Sequence, residues 1–145
     1  MIALSGLFLA AFLAATPVPF QSEVVFLGLQ AAGWRALTLV LVASVGNVLG
    51  SCVTYALGRG LGGFRDHPRF PIRPAQLARA EAWYARWGYW SLLVSWAPGG
   101  DVLVAVAGLM RTPVALFLLL VTLAKTLRYA AVAWLGAAAF AGWTA

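Results

Sequence analysis

Four apolar blocks can be read along the chain, and two of them are interrupted. The second block, Ala36 to Leu57, and the fourth, Pro113 to about Gly142, are each long enough to cross a bilayer, since roughly 20 residues cover the hydrocarbon core. The first, about residues 2 to 33, is broken by TPVPFQSE, Thr16 to Glu23. The third, Tyr89 to Met110, is broken by SWAPGGD, Ser95 to Asp101. Each broken block is either one kinked spanning helix or a re-entrant hairpin that enters and leaves on one side. The first block has about 14 residues before its break and 10 after it, so at 1.5 Å per residue each half reaches only partway across. Non-helical backbone survives at membrane depth only where protein or a water-filled cavity surrounds it. The preferred expectation is two re-entrant hairpins, with tips at Pro17 and Pro19 and at Pro98, Gly99 and Gly100.

Charge separates the two readings. With two hairpins, Arg59, Arg65, Arg69, Arg73, Arg79, Arg86 and Arg111 all fall on one face and only Arg35 on the other. The positive-inside rule then places the basic loop, residues 58–88, in the cytoplasm and both termini outside. Two kinked spans would scatter the same arginines over both faces. Within the loop, Ala75 to Trp87 sets Leu77, Ala80, Tyr84 and Trp87 along one helical stripe. That pattern predicts a short interfacial helix with aromatic anchors.

Composition agrees with this picture. Of 145 residues, 63% are hydrophobic and 10% charged, with a mean hydropathy of +0.88; soluble domains carry about 25% charged residues. The expected fold class is an all-α integral membrane protein, residues 1–145 forming a single membrane domain. The net charge of +6 does not point to nucleic acid, because most basic residues lie in one segment between apolar blocks, as in a loop held at an anionic membrane face. One cysteine, Cys52, and one histidine, His67, leave no intramolecular disulfide and no multi-histidine metal site, and no cofactor is expected. The N-terminus does not read as a cleavable signal, since no positive charge follows Met1.

A weak internal repeat appears when Glu23 is set against Asp101. Asn47 then falls on Lys125, Leu57-Gly58 on Leu135-Gly136, and Pro19 lies near Pro98. Each half is a hairpin followed by a span, so the second half is inverted relative to the first, as in many transporters. Chance similarity between two segments rich in Ala, Val and Leu is the competing explanation.

Four charges lie in or at the edge of the apolar blocks and sum to zero: Glu23, Asp101, Lys125 and Arg128. Each alone would cost at least ~2.5 kcal/mol at mid-membrane, so pairing or hydration is nearly obligatory. Lys125 and Arg128, three apart, share a helix face. The functional reading is a polar cavity for an anionic lipid headgroup, a polyprenyl phosphate or an anionic phospholipid. Lys125 and Arg128 would hold its phosphate, with Asn47 and Ser95 completing the binding set. Free N–H groups at the starts of the second hairpin arms favour anions too. Glu23 and Asp101 would pair with the cations or exchange protons during turnover. The structural reading is that these charges only lock the hairpins in register.

Other features read as packing. Gly46 to Gly50 and Gly58 to Gly62 have the small-xxx-small spacing that lets helices approach closely, within the chain more readily than in a homodimer. Tyr55 reads as core or interface, Cys52 as a small hydrophobe, and His67 as solvated. Trp83, Trp87, Trp90 and Trp96 read as interface anchors. No nucleophile, acid–base or metal constellation emerges, so no enzymatic activity is expected.

The stretch GNVLGSCVTYALGRGLG, Gly46 to Gly62, resembles the glycine-rich span of the DedA family, relatives of the VTT-domain scramblases. With SEVVFLGLQAAG, SWAPGGDVLVAVAGLMR and KTLRY, the chain is similar to the short YqaA-like branch of that family from about Ala14 to Leu135. Gly50, Tyr55, Gly58, Arg59 and Gly62 match one motif; Pro19, Glu23, Pro98 and Gly108 match the hairpin motifs. The resemblance implies two oppositely oriented re-entrant hairpins in the bacterial inner membrane. It also implies the return of undecaprenyl phosphate, or scrambling of phospholipids, with proton coupling. The chain departs from the larger family pattern in having Ser95 and Asp101 where two hairpin arginines are usual, and Ala14-Ala15-Thr16 where an acidic residue often stands. Lys125 and Arg128 are expected to substitute for those arginines. The alternatives are a non-transporting protein supporting envelope homeostasis or assembly through its basic loop, or a proton or ion channel.

Overall fold

A computed structural model describes residues 2–16, 21–60, 72–95 and 101–144. The predicted hairpin tips Pro17, Pro19, Pro98, Gly99 and Gly100, together with His67 and Trp96, lie outside these residues. Every regular element among them is helical. Helix α1, Ile2–Ala14, is followed after the first break by α2, Ser22–Ala31. Helix α3, Ala36–Gly60, leads to α4, Pro74–Trp87, which runs directly into a 3-10 segment, Gly88–Val94. After the second break come α5, Asp101–Leu109, and α6, Val114–Thr144.

Local chemistry sets these limits. Thr16 turns its hydroxyl back onto the Leu13 carbonyl at 2.7 Å and closes the end of α1. Helix α2 is followed by Gly33 at φ 100, a conformation glycine adopts at no steric cost. Pro74 starts α4, where its missing N–H is no loss, and Gly88 at φ 63 ends it. Arg111, at φ 55, makes the tight corner between α5 and α6.

Helices α3 and α6 have the length and apolarity to cross a membrane, over Ala36–Gly60 and Val114–Ala139. The first runs one turn beyond the expected end at Leu57, so residues 58–60 belong to the helix and not to the basic loop. Helices α1 and α2 have 13 and 10 residues, about 20 and 15 Å long, and pack against each other. Neither alone covers a hydrocarbon core of about 30 Å.

Helix α3 is the axis of the packing. Along its first half it meets α1, along its second half α5, and α6 lies beside it. Glycines allow both approaches. A Cβ on Gly50 would sit 2.1 Å from the Phe12 carbonyl oxygen, and one on Gly58 2.2 Å from that of Ala105. Gly46 and Gly108 are closed off in the same way, against Phe8 and Tyr55. The small-residue face of α3 is therefore filled within the chain. Helix α6 also approaches α2, where a Cβ on Gly136 would meet side-chain atoms of Gln30 and Leu27 and not backbone.

Two apolar clusters result. One gathers Tyr55, Leu77, Tyr84, Leu92, Val104 and Phe117; the other gathers Leu7, Phe26, Leu39, Ala43 and Tyr129. The first corrects one expectation. Leu77, Ala80 and Tyr84 of α4 do form a stripe, but it is buried in the protein's own core, and Trp87 is 52% exposed. The stripe is spent on α5 and the 3-10 segment. Trp83, Trp87 and Trp90 are left facing outward.

Candidate functional site

The two clusters are separated by a polar layer halfway along α3 and α6. Lys125 stands near the middle of the apolar stretch of α6, with none of its side chain exposed. Its Nζ donates to Asp101 Oδ1 at 2.6 Å and to the Ser95 backbone carbonyl at 3.1 Å. Asp101 is the first residue of α5, where a carboxylate complements the positive end of the helix dipole. One turn along α6, Arg128 donates to and pairs with Glu23, which lies in the first turn of α2. Each carboxylate thus opens the helix that follows a break in an apolar block, and both are answered by one face of α6.

The pairs are unequally enclosed. Lys125 is sealed, while Asp101, Arg128 and Glu23 keep 26%, 21% and 29% of their side chains exposed. The cluster is neutral as a whole, which removes most of the cost of holding charge in a low-dielectric layer.

Hydroxyls and amides complete the layer. Tyr129, fully buried, shares a 2.6 Å hydrogen bond with Ser22. Its ring stacks on Phe26 at 5.8 Å and lies 5.8 Å beneath the Arg128 guanidinium. Asn47 donates its amide to the Ala11 carbonyl at 2.8 Å, but its Oδ1 has no partner among the described residues. Among the described residues the buried hydroxyls of Ser51 and Ser95 have none either. Leaving such a group unsatisfied costs about 1–3 kcal/mol, and water or a polar ligand normally answers it.

The structure therefore brings together Glu23 with Arg128 and Asp101 with Lys125, and sets the Ser95 backbone carbonyl on Lys125, while Asn47 bonds to the Ala11 carbonyl. Sequence reasoning missed Tyr129, Ser22 and Ser51. The first two adjoin Arg128 and Glu23 in sequence, so a polar residue next to a charge in an apolar block was the available signal. It also missed a second polar knot at the α5–α6 corner. There Tyr55 and Tyr84 donate to or share hydrogen bonds with the carbonyl and hydroxyl of Thr112, and Arg59 donates to the Tyr55 hydroxyl at 3.1 Å. Cys52 packs at the edge of the core as a small apolar group. Among the described residues no group of three or more His, Cys, Asp or Glu side chains gathers to hold a metal.

An apolar helical chain with two helices long and apolar enough to cross a bilayer, and four charges closed into pairs against one of them, has the form of an integral membrane protein. The VTT domain matches residues 18–138, and the chain belongs to that family, the DedA family. It is 40% identical over 139 residues to the Inner membrane protein YqaA of Escherichia coli, an alignment covering 91% of this chain and 89% of that one. The protein of the same name in Shigella flexneri matches equally. A Haemophilus influenzae relative is 35% identical over 138 residues, covering 89% of this chain and 84% of its own. No solved structure matches the chain.

Proposed function

We propose that this protein moves a phosphate-bearing lipid across the bacterial inner membrane, acting as a transporter and not as an enzyme. The observation that carries the reading is the pairing of Lys125 with Asp101 and of Arg128 with Glu23 on one face of a spanning helix. Cations held by carboxylates can exchange those partners for a phosphate, and the carboxylates released can take up protons, which gives a route to proton coupling. The unpartnered Asn47, Ser51 and Ser95 atoms favour a site with a ligand over a purely structural lock. The family and the name of the Escherichia coli relative support the inner membrane, and the lipid class, undecaprenyl phosphate or phospholipid, is the one the resemblance of the sequence motifs implies.

Re-entrant hairpins belong to this proposal. The short paired helices α1 and α2 support the first, and the short 3-10 segment in contact with α5 supports the second. The inverted repeat is supported by packing. The offset that carries Glu23 to Asp101 carries Gly58 to Gly136 and Leu27 to Ala105. The two close approaches, Gly58 on Ala105 and Gly136 on Leu27, exchange under it. In this arrangement the basic loop is cytoplasmic and both termini are outside.

The rival is a scaffold in which the charges only fix packing, and the closure of the four into neutral pairs is what favours it. Transbilayer movement of labelled undecaprenyl phosphate in liposomes, with and without a pH gradient, decides between them. The expected result is movement by the wild type that Lys125→Met and Glu23→Gln both abolish. Movement that survives both neutral replacements, or no movement of this lipid or of phospholipid by wild type, overturns the proposal.

A further inference from the structure

A cavity of about 350 Å³ opens between the two spanning helices, away from the ion pairs. Leu41, Val45, Val48 and Leu49 of α3 form one wall, and Thr122 and Thr126 of α6 the other. Leu41, Val45 and Leu49 are about half exposed, so the groove lies on the outer surface of the helices, where the bilayer surrounds them. Its volume is at the small end of the roughly 300–1,000 Å³ of ligand sites, room for a stretch of chain and not for a large headgroup.

One lining residue does not fit a lipid-facing wall. Ser44 is buried, its hydroxyl has no partner among the described residues, and it borders the groove. A serine inside an apolar helix usually bonds back to the carbonyl one turn earlier. Here the donor is left for something that enters from outside. Hydrocarbon offers no acceptor, whereas the ester and phosphate oxygens that join a lipid's chain to its headgroup do.

Although lined by none of the ion-pairing residues, the groove adjoins the charged centre along both helices in sequence. Ser44 lies three residues before Asn47 and Thr122 three before Lys125, spacings that put each pair on one helix face. A second copy of the chain fits less well. The glycines that would let a helix approach closely are already used against α1 and α5, and Leu41, Val45 and Leu49 stand out along the rim. We infer that the α3–α6 groove seats a hydrocarbon chain of the phosphate-bearing lipid, with a linkage oxygen accepting the Ser44 hydroxyl. The headgroup then lies within one helical turn of Asn47 and Lys125. This rests on the lipid-translocation reading and adds to it where the tail goes.

The test is photocrosslinking of the whole protein in vesicles of phosphatidylethanolamine and phosphatidylglycerol, the latter carrying a diazirine midway along one chain, with peptide mapping of the labelled sites. Label is expected to concentrate on Leu41–Leu49 and Thr122–Thr126. Ser44→Ala should lower it about fivefold, the effect of one lost hydrogen bond. Val48→Trp should fill the groove and abolish it, while Leu9→Trp, on an exposed position of α1, should leave it unchanged. Label spread evenly over all exposed leucines, or crosslinks between two copies through the groove, would overturn the assignment. Groove labelling by a protein that moves no lipid would sink the translocation reading and keep the seat. Lipid movement without groove labelling would do the reverse.

Discussion

Lys125→Met would leave Asp101 without the cation that holds it, inside a layer where water is scarce. Breaking a buried pair typically costs about 3–5 kcal/mol, and the low end applies because Asp101 is 26% exposed. Melting in detergent should show that loss. The double variant Lys125→Met with Asp101→Asn should recover most of the stability and none of the transport, which separates the two roles of the pair. Gly58→Ala should be severe, because its Cβ would press to 2.2 Å on the Ala105 carbonyl. Gly28→Ala, where a Cβ meets nothing, should be neutral or stabilising by up to about 1 kcal/mol through helix propensity. The comparison, read as folded yield in membranes, checks whether close packing and not glycine content holds the fold. At this scale the sequence was only partly legible. Four charges in an apolar chain demand partners, but which carboxylate takes which cation depends on how short helices lean on α6. Nor did hydropathy reveal that Tyr129 and Ser22 meet across 107 positions.

The long elements were the easiest to read, because an unbroken apolar run of spanning length has few other fates. Both α3 and α6 start within a residue of the expected position and run on past the expected end. Helix α4 was legible as a helix and misjudged as a surface. Its stripe of Leu77, Ala80 and Tyr84 looks the same in sequence whether lipid or protein covers it, and here protein does. What fastens α4 is the Tyr84 hydroxyl on Thr112. Tyr84→Phe removes that bond and orphans the Thr112 hydroxyl, a loss of about 1–3 kcal/mol. Hydrogen exchange should then rise across Pro74–Trp87 and leave α3 unchanged.

For the whole molecule the decisive question is on which side each loop lies. With hairpins at both breaks, a cysteine at Arg79 should react with a membrane-impermeant maleimide only from the cytoplasmic side, in a Cys52→Ser background. A cysteine at Arg35 should react only from the outside. A cysteine at Arg111 should react from the same side as one at Arg79, and reaction of these two from opposite sides would mean that the second break is crossed as a span. Nothing in local sequence pattern alone fixes this, since a kinked span and a hairpin share one composition. The arrangement of the charges has a consequence for how the protein is made. Glu23 and Asp101 leave the ribosome before Lys125 and Arg128, and both cations reside on α6. Until α6 arrives, the two carboxylates in the growing chain lack the partners they finally bind, so they must wait protonated or beside water. Insertion of α6 neutralises both at once and draws α2 and α5 onto the same helix face. Both pairs are then complete only once α6 has been made, and a chain arrested before residue 114 should be held in an unfinished state and cleared by quality control.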